Sequence, residues 1–137
     1  MSDARWDITA MRAGAGVCLM FAVPFSIGAS IAADADNSAL AVLLSVGAVC
    51  GFVVGAGCAA WLQQRQSPLS HGIVTAVLTY LAAQAVFVLI KLIRGDAVSW
   101  FAVFFNLSVV AGAGLLGGFI GSRLQQRGIT PSGGQHT

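Results

Sequence analysis

The stretch Gly51–Arg65, GFVVGAGCAAWLQQR, decides the class of this chain. Gly51 and Gly55, with Gly47 before them and Ala59 after, stand four residues apart, so one face of a helix there carries almost no side chain. The stretch closes on Trp61 and Arg65, residue types that suit a membrane–water interface. No charge interrupts it. The uncharged run that contains it extends from Asn37 to Gln64, longer than the roughly 20 residues that cross a hydrocarbon core at about 1.5 Å rise each.

Three further uncharged runs flank this one: Ala13–Ala33, Gln66–Ile90 and Ala97–Ser122. Of the 137 residues 57% are hydrophobic and only 9% charged, and the mean hydropathy is +0.84. A soluble domain carries about a quarter charged residues, so that class is excluded. Ten-residue alternating segments, the mark of a membrane β-barrel, are missing. The expected fold is an all-α integral membrane protein, a bundle of four transmembrane helices at about 13–33, 38–62, 68–93 and 97–123.

Residues 1–12 read as a cytoplasmic segment with Trp6 at the headgroups. Ala33-Asp34-Ala35 resembles a signal-peptidase site, but the apolar run before it exceeds the about 7–15 residues of a signal. Pro24 lies inside the first helix, where a membrane bundle tolerates a bend, and Ser26 and Ser30 follow as partners for freed carbonyls. Asp36 or Asn37 is expected to cap the second helix, Ser67 with Pro68 to open the third, Gly95 to end it, and Asp96 to cap the fourth. Residues 124–137 read as a cytoplasmic, disordered tail. With short loops, successive helices are antiparallel neighbours.

A partial copy of the opening stretch returns as Ala113–Arg127, AGLLGGFIGSRLQQR. A shift of 62 positions superposes Asp34-Ala35 on Asp96-Ala97, Gly55 on Gly117, and Leu62–Arg65 on Leu124–Arg127. That predicts two repeated hairpins of parallel orientation, although apolar composition alone also generates such matches. Lipid gives helices no hydrophobic reason to associate, so small residues must supply close contact. The expected packing residues are Gly47, Gly51 and Gly55 on the second helix, crossing Ala113, Gly117 and Gly121 on the fourth. The adjacent stripe Gly114/Gly118 could equally serve a homodimer.

The four runs hold no Asp, Glu, Lys, Arg or His except near their ends, whereas membrane-embedded ionisable groups are the usual mark of coupled transport. Thr75, Thr79, Tyr80 and Gln84 on the third helix and Asn106 and Ser108 on the fourth are the neutral polar groups. Gln84 and Asn106 fall at similar depth and are expected to pair, a contribution of about 0.6–2 kcal/mol. Phe101, Phe104 and Phe105 read as lipid-facing or packing bulk. Cys18, Cys50 and Cys58 have no metal or redox spacing and read as small packing residues. His71 reads as a capping or interfacial group in the first turn of the third helix. No catalytic set, nucleotide motif or metal pattern can be assembled, so no enzymatic activity, cofactor or metal is expected. The few basic residues argue against nucleic acid.

Arg5, Arg12, Arg65, Arg123 and Arg127 on one side, against Lys91 and Arg94 on the other, orient the chain in a cell membrane with both ends inside. GFVVGAGCAAW, the short basic loop, His71-Gly72-Ile73-Val74-Thr75-Ala76 and GAGLLGGFIGSRL resemble the YrzE-like small four-helix membrane proteins over helices two to four. That family has no assigned activity, so the resemblance implies a fold and a membrane location but no site residue. The expected function is an interaction or accessory subunit, forming a homo-oligomer or joining a larger membrane complex. A small oligomeric channel or transporter with a neutral path along Gln84, Asn106 and the helix-one serines is the alternative, and a pore-forming, holin-like protein a third class.

Overall fold

The computed structural model of the protein describes residues 6–129, which form four helices and no strand. They are α1 (Ile8–Asp34), α2 (Ser38–Leu62), α3 (Pro68–Arg94) and α4 (Trp100–Gln126). Each is long and apolar enough to cross a membrane, and large apolar side chains such as Leu43, Val46, Ile93, Phe101 and Leu116 cover the outside. The chain is a multi-pass membrane protein. Arg5 and the segment 130–137 lie outside the described residues.

Local chemistry sets the helix ends. α1 starts at Ile8 rather than Ala13, because the Asp7 side chain accepts from Ala10 N at 3.1 Å and Arg12 is taken inside the helix. Asn37 caps α2 through Leu40 N. Ser67 stands at the N-cap of α3 with Pro68 next, but its side chain makes no cap bond. Gly95, at φ 76°, ends α3. Ser99, not Asp96, caps α4: Asp96 N–H already donates to Lys91 O at 2.9 Å in the turn that closes α3, so the helix waits until Trp100. At the other end α4 continues through the LQQR copy to Gln126, and Ile129 O accepts the Trp61 indole N–H at 2.6 Å. The residues from 124 to 129 are therefore ordered against α2.

The glycines pack the bundle, with partners other than those the four-residue spacing suggests. The α2 face of Gly47, Gly51 and Gly55 lies on α1: a Cβ at these positions would strike Phe25, Phe21 and the Cys18 Sγ respectively. The opposite α2 face, Val53, Ala56, Gly57 and Ala60, is the one that meets α4. There a Cβ on Gly121 would lie 2.6 Å from Gly57 O, and one on Gly117 would collide with Val53 O. Ala113 is buried beside them in the core. Gly114 and Gly118, the stripe that could equally have served a homodimer, are taken up by α3, with a Cβ on Gly72 only 2.7 Å from the Gly118 Cα. α2 and α4 do cross closely, but α2 does so with its second small face.

α2 touches all three other helices, and α3 also touches α1, whereas α1 and α4 do not meet. A two-fold relation between the hairpins would match the α2–α3 contact with an α4–α1 contact. The repeat therefore survives in sequence and in one junction, but the packing around it is asymmetric. α1 passes Pro24 as a continuous helix; Ser30 Oγ donates to Ser26 O at 3.2 Å, a carbonyl that Pro24 does not free.

Candidate functional site

The backbone-to-backbone contacts concentrate in the half of the bundle nearer the α2–α3 loop. In the half nearer residues 35–37 and 95–99 the helices part around an open cavity of about 400 Å³. α1 contributes Leu19, Val23, Ser26 and Ser30, α2 contributes Ser45, Val49 and Phe52, and α3 contributes Tyr80, Gln84, Phe87 and Lys91. α4 completes the wall with Ser99, Val103, Asn106 and Val110. Its floor is the core cluster of Ala22, Phe52, Tyr80 and Val110. There the Phe52 and Tyr80 rings meet edge to face at 6.4 Å, and the Tyr80 hydroxyl donates to Val103 O at 3.0 Å.

Gln84 and Asn106 stand in this wall together. Among the described residues no hydrogen bond joins them to each other or to a third side chain, so the expected direct pair is replaced by two amides facing one space. The serines differ: Ser30 and Ser45 hydroxyls donate to Ser26 O and Ala41 O of their own helices. The amides thus hold unused donors and acceptors in a wall otherwise made of apolar side chains, serines, Tyr80 and Lys91, and a few placed polar groups are how small-molecule sites fix orientation. Lys91 is the cation at the mouth.

From the cavity floor a polar line continues along α3 through the tightly packed half. Thr79, Thr75, His71 and Ser67 follow at four-residue spacing, on one face. Thr79, Thr75 and His71 are buried, and Thr75 Oγ1 is buried with no partner. Burial of an unpaired hydroxyl costs about 1–3 kcal/mol.

His71, expected as a capping or interfacial group, is fully buried, with 0% exposure. Asp7 N–H donates to its Nε2 at 2.9 Å. Nε2 is therefore the unprotonated nitrogen, and Nδ1–H donates to Ser67 O at 2.9 Å, with Ser67 Oγ 3.1 Å away. The Trp6 ring covers the imidazole at 5.2 Å between centroids. The Asp7 carboxylate accepts from Gln64 N at 3.3 Å, so one residue fastens the start of α1 to the α2–α3 loop and to α3.

The two copies of LQQR meet beside this latch. Gln63 Nε2 donates to Gln125 Oε1 at 3.3 Å, and Gln125 Nε2 donates to Trp61 O and Gln63 O at 2.9 and 2.8 Å. Carbonyls at the end of α2 that no helix can satisfy are satisfied from α4. A shallow hollow of about 500 Å³ between Trp6–Thr9 and Gln64–Arg65 lies outside the bundle. Among the described residues no three His, Cys, Asp or Glu side chains gather as a metal site would need.

A family model described as YwiC-like protein matches residues 14–115, and the chain belongs to that family. The match names this family rather than the YrzE-like one that the glycine patterns resemble. No curated protein and no solved structure matches the chain. The matched span contains every residue of the cavity wall and the Thr79–Ser67 line, while Asp7 of the latch and Gln125 of the junction beside it fall outside.

Proposed function

We propose that this member of the YwiC-like family is a solute-binding membrane protein, and that it binds without performing chemistry on what it binds. The single observation that supports this reading is the cavity itself: four helices part around two unpaired amides, Gln84 and Asn106, above a closed aromatic floor. Its volume falls at the lower end of the roughly 300–1,000 Å³ of small-molecule sites. Of the ionisable groups in its wall, Tyr80 is engaged with Val103 O, and Lys91 stands at the mouth with no ion pair among the described residues. The reading as an accessory subunit draws on the lack of ionisable groups in the bilayer and on spare small-residue surface; of these, the two glycine stripes of α4 are spent inside the bundle.

The test is a thermal-shift panel of small amphiphiles on the full chain in lipid nanodiscs, for wild type and Ala83→Phe, which fills the cavity. Ligands that raise the wild-type midpoint and leave the filled variant unmoved support the reading. A panel that moves neither protein, or moves both alike, contradicts it.

Movement of the solute across the membrane is a second reading, favoured by the buried Thr79–Thr75–His71 line that runs on from the cavity floor. Flux into liposomes should fall with Gln84→Leu and with Thr75→Val if the line is a path. Unchanged flux in both variants would leave a binder that does not transport.

A further inference from the structure

We propose that the cavity receives a single-chain anionic amphiphile, a carboxylate on one medium-length apolar chain, with its head at Lys91 and its tail toward Phe52. This deepens the solute-binding reading and rests on it. The mouth supplies the charge. Lys91 lines the cavity and has no ion pair among the described residues, whereas its neighbour Arg94 is occupied with Asp96 at 3.7 Å. Asp34, Asp36 and Asp96 lie at the same end of the bundle, yet none of them lines the cavity. An anion that enters therefore meets, in the cavity wall itself, one cation without an ion pair and no carboxylate.

The depth supplies the rest. From Lys91 the α3 wall descends through Phe87 and Gln84 to Tyr80, about 16 Å at the helical rise. Gln84 on this wall and Asn106 opposite can donate to a carboxylate or to a polar group just below it, whereas Leu19, Ala22, Val49 and Val110 below offer only apolar surface. A head that is anionic and a body that is not matches this order. At about 400 Å³ the space suits one chain rather than the two of a phospholipid, and a head at the membrane boundary with the tail inside lets the ligand enter from the bilayer.

Binding is measured on the full chain in phosphatidylcholine nanodiscs, with empty nanodiscs as the partition control, using octanoate, octanol and octylamine. Octanoate is expected to bind roughly three- to fivefold more tightly than octanol, and octylamine more weakly than either, as one exposed charge pair implies. Lys91→Gln is expected to bring octanoate down to octanol, and Lys91→Arg to keep the preference. Equal affinities, an octylamine preference, or a preference that survives Lys91→Gln overturns the anion assignment while leaving a solute site. Displacement of octanoate by a small excess of anionic phospholipid overturns the single-chain assignment. If none of the three binds wild type, both this inference and the reading beneath it fall.

Discussion

Gly117 has no room for even a methyl group. A Cβ there would collide with Val53 O and stand 2.8 Å from Gly57 N, both backbone atoms that cannot swing aside. Gly117→Ala should therefore destabilise the fold by about 1–3 kcal/mol. Gly112, five residues earlier on the same helix, has nothing within 4 Å of the position a Cβ would take. Gly112→Ala should be neutral or stabilising by up to about 1 kcal/mol, since alanine is the better helix former. Thermal midpoints of the two variants in mild detergent check the contrast; equal losses would contradict the packing described. Thr75→Val should leave the midpoint unchanged or raise it, because the hydroxyl it removes is buried without a partner. A clear drop in that midpoint would show that the hydroxyl has a partner after all.

At the scale of the elements, the latch and the seams answer different questions. His71 joins α3 to the start of α1 through Asp7 N and holds Ser67 O with its other nitrogen. His71→Ala removes both bonds and a buried ring, and should cost about 2–4 kcal/mol. The loss should appear first as faster amide exchange at residues 7–12, with residues in the middle of α4 little changed. Uniform loss of protection would contradict a local latch. The helices themselves were legible in sequence because uncharged length and hydropathy are properties of single segments. Their partners were not. α2 carries two small faces, Gly47/Gly51/Gly55 and Ala56/Gly57/Ala60, and spacing cannot say which of them meets α4. His71 was legible as the opening of α3, but its role needs Asp7, 64 positions away. The four-residue series Ser67, His71, Thr75, Thr79 was the available signal for a buried polar face.

At the scale of the whole molecule, one end is closed by glycine contacts and the Gln63–Gln125 junction, and the other opens into the cavity. We propose that the closed end faces the cytoplasm, as the arginines around it favour. Reporter fusions after Gln66 and after Asp96 should then read inside and outside respectively, and the reverse pattern would invert the assignment. Solute binding as proposed requires the cavity to be open to water at that end and closed below its floor. The direct measurement uses a chain with Cys18, Cys50 and Cys58 replaced by alanine, carrying Gln84→Cys, Asn106→Cys or Ala56→Cys singly, in sealed vesicles. A small, membrane-impermeant thiol reagent should modify the cysteines at 84 and 106 from the side of the 35–37 and 95–99 loops only, and the one at 56 from neither side. A cysteine at 84 that stays unmodified from both sides, or one at 56 that reacts as readily, would contradict the central claim.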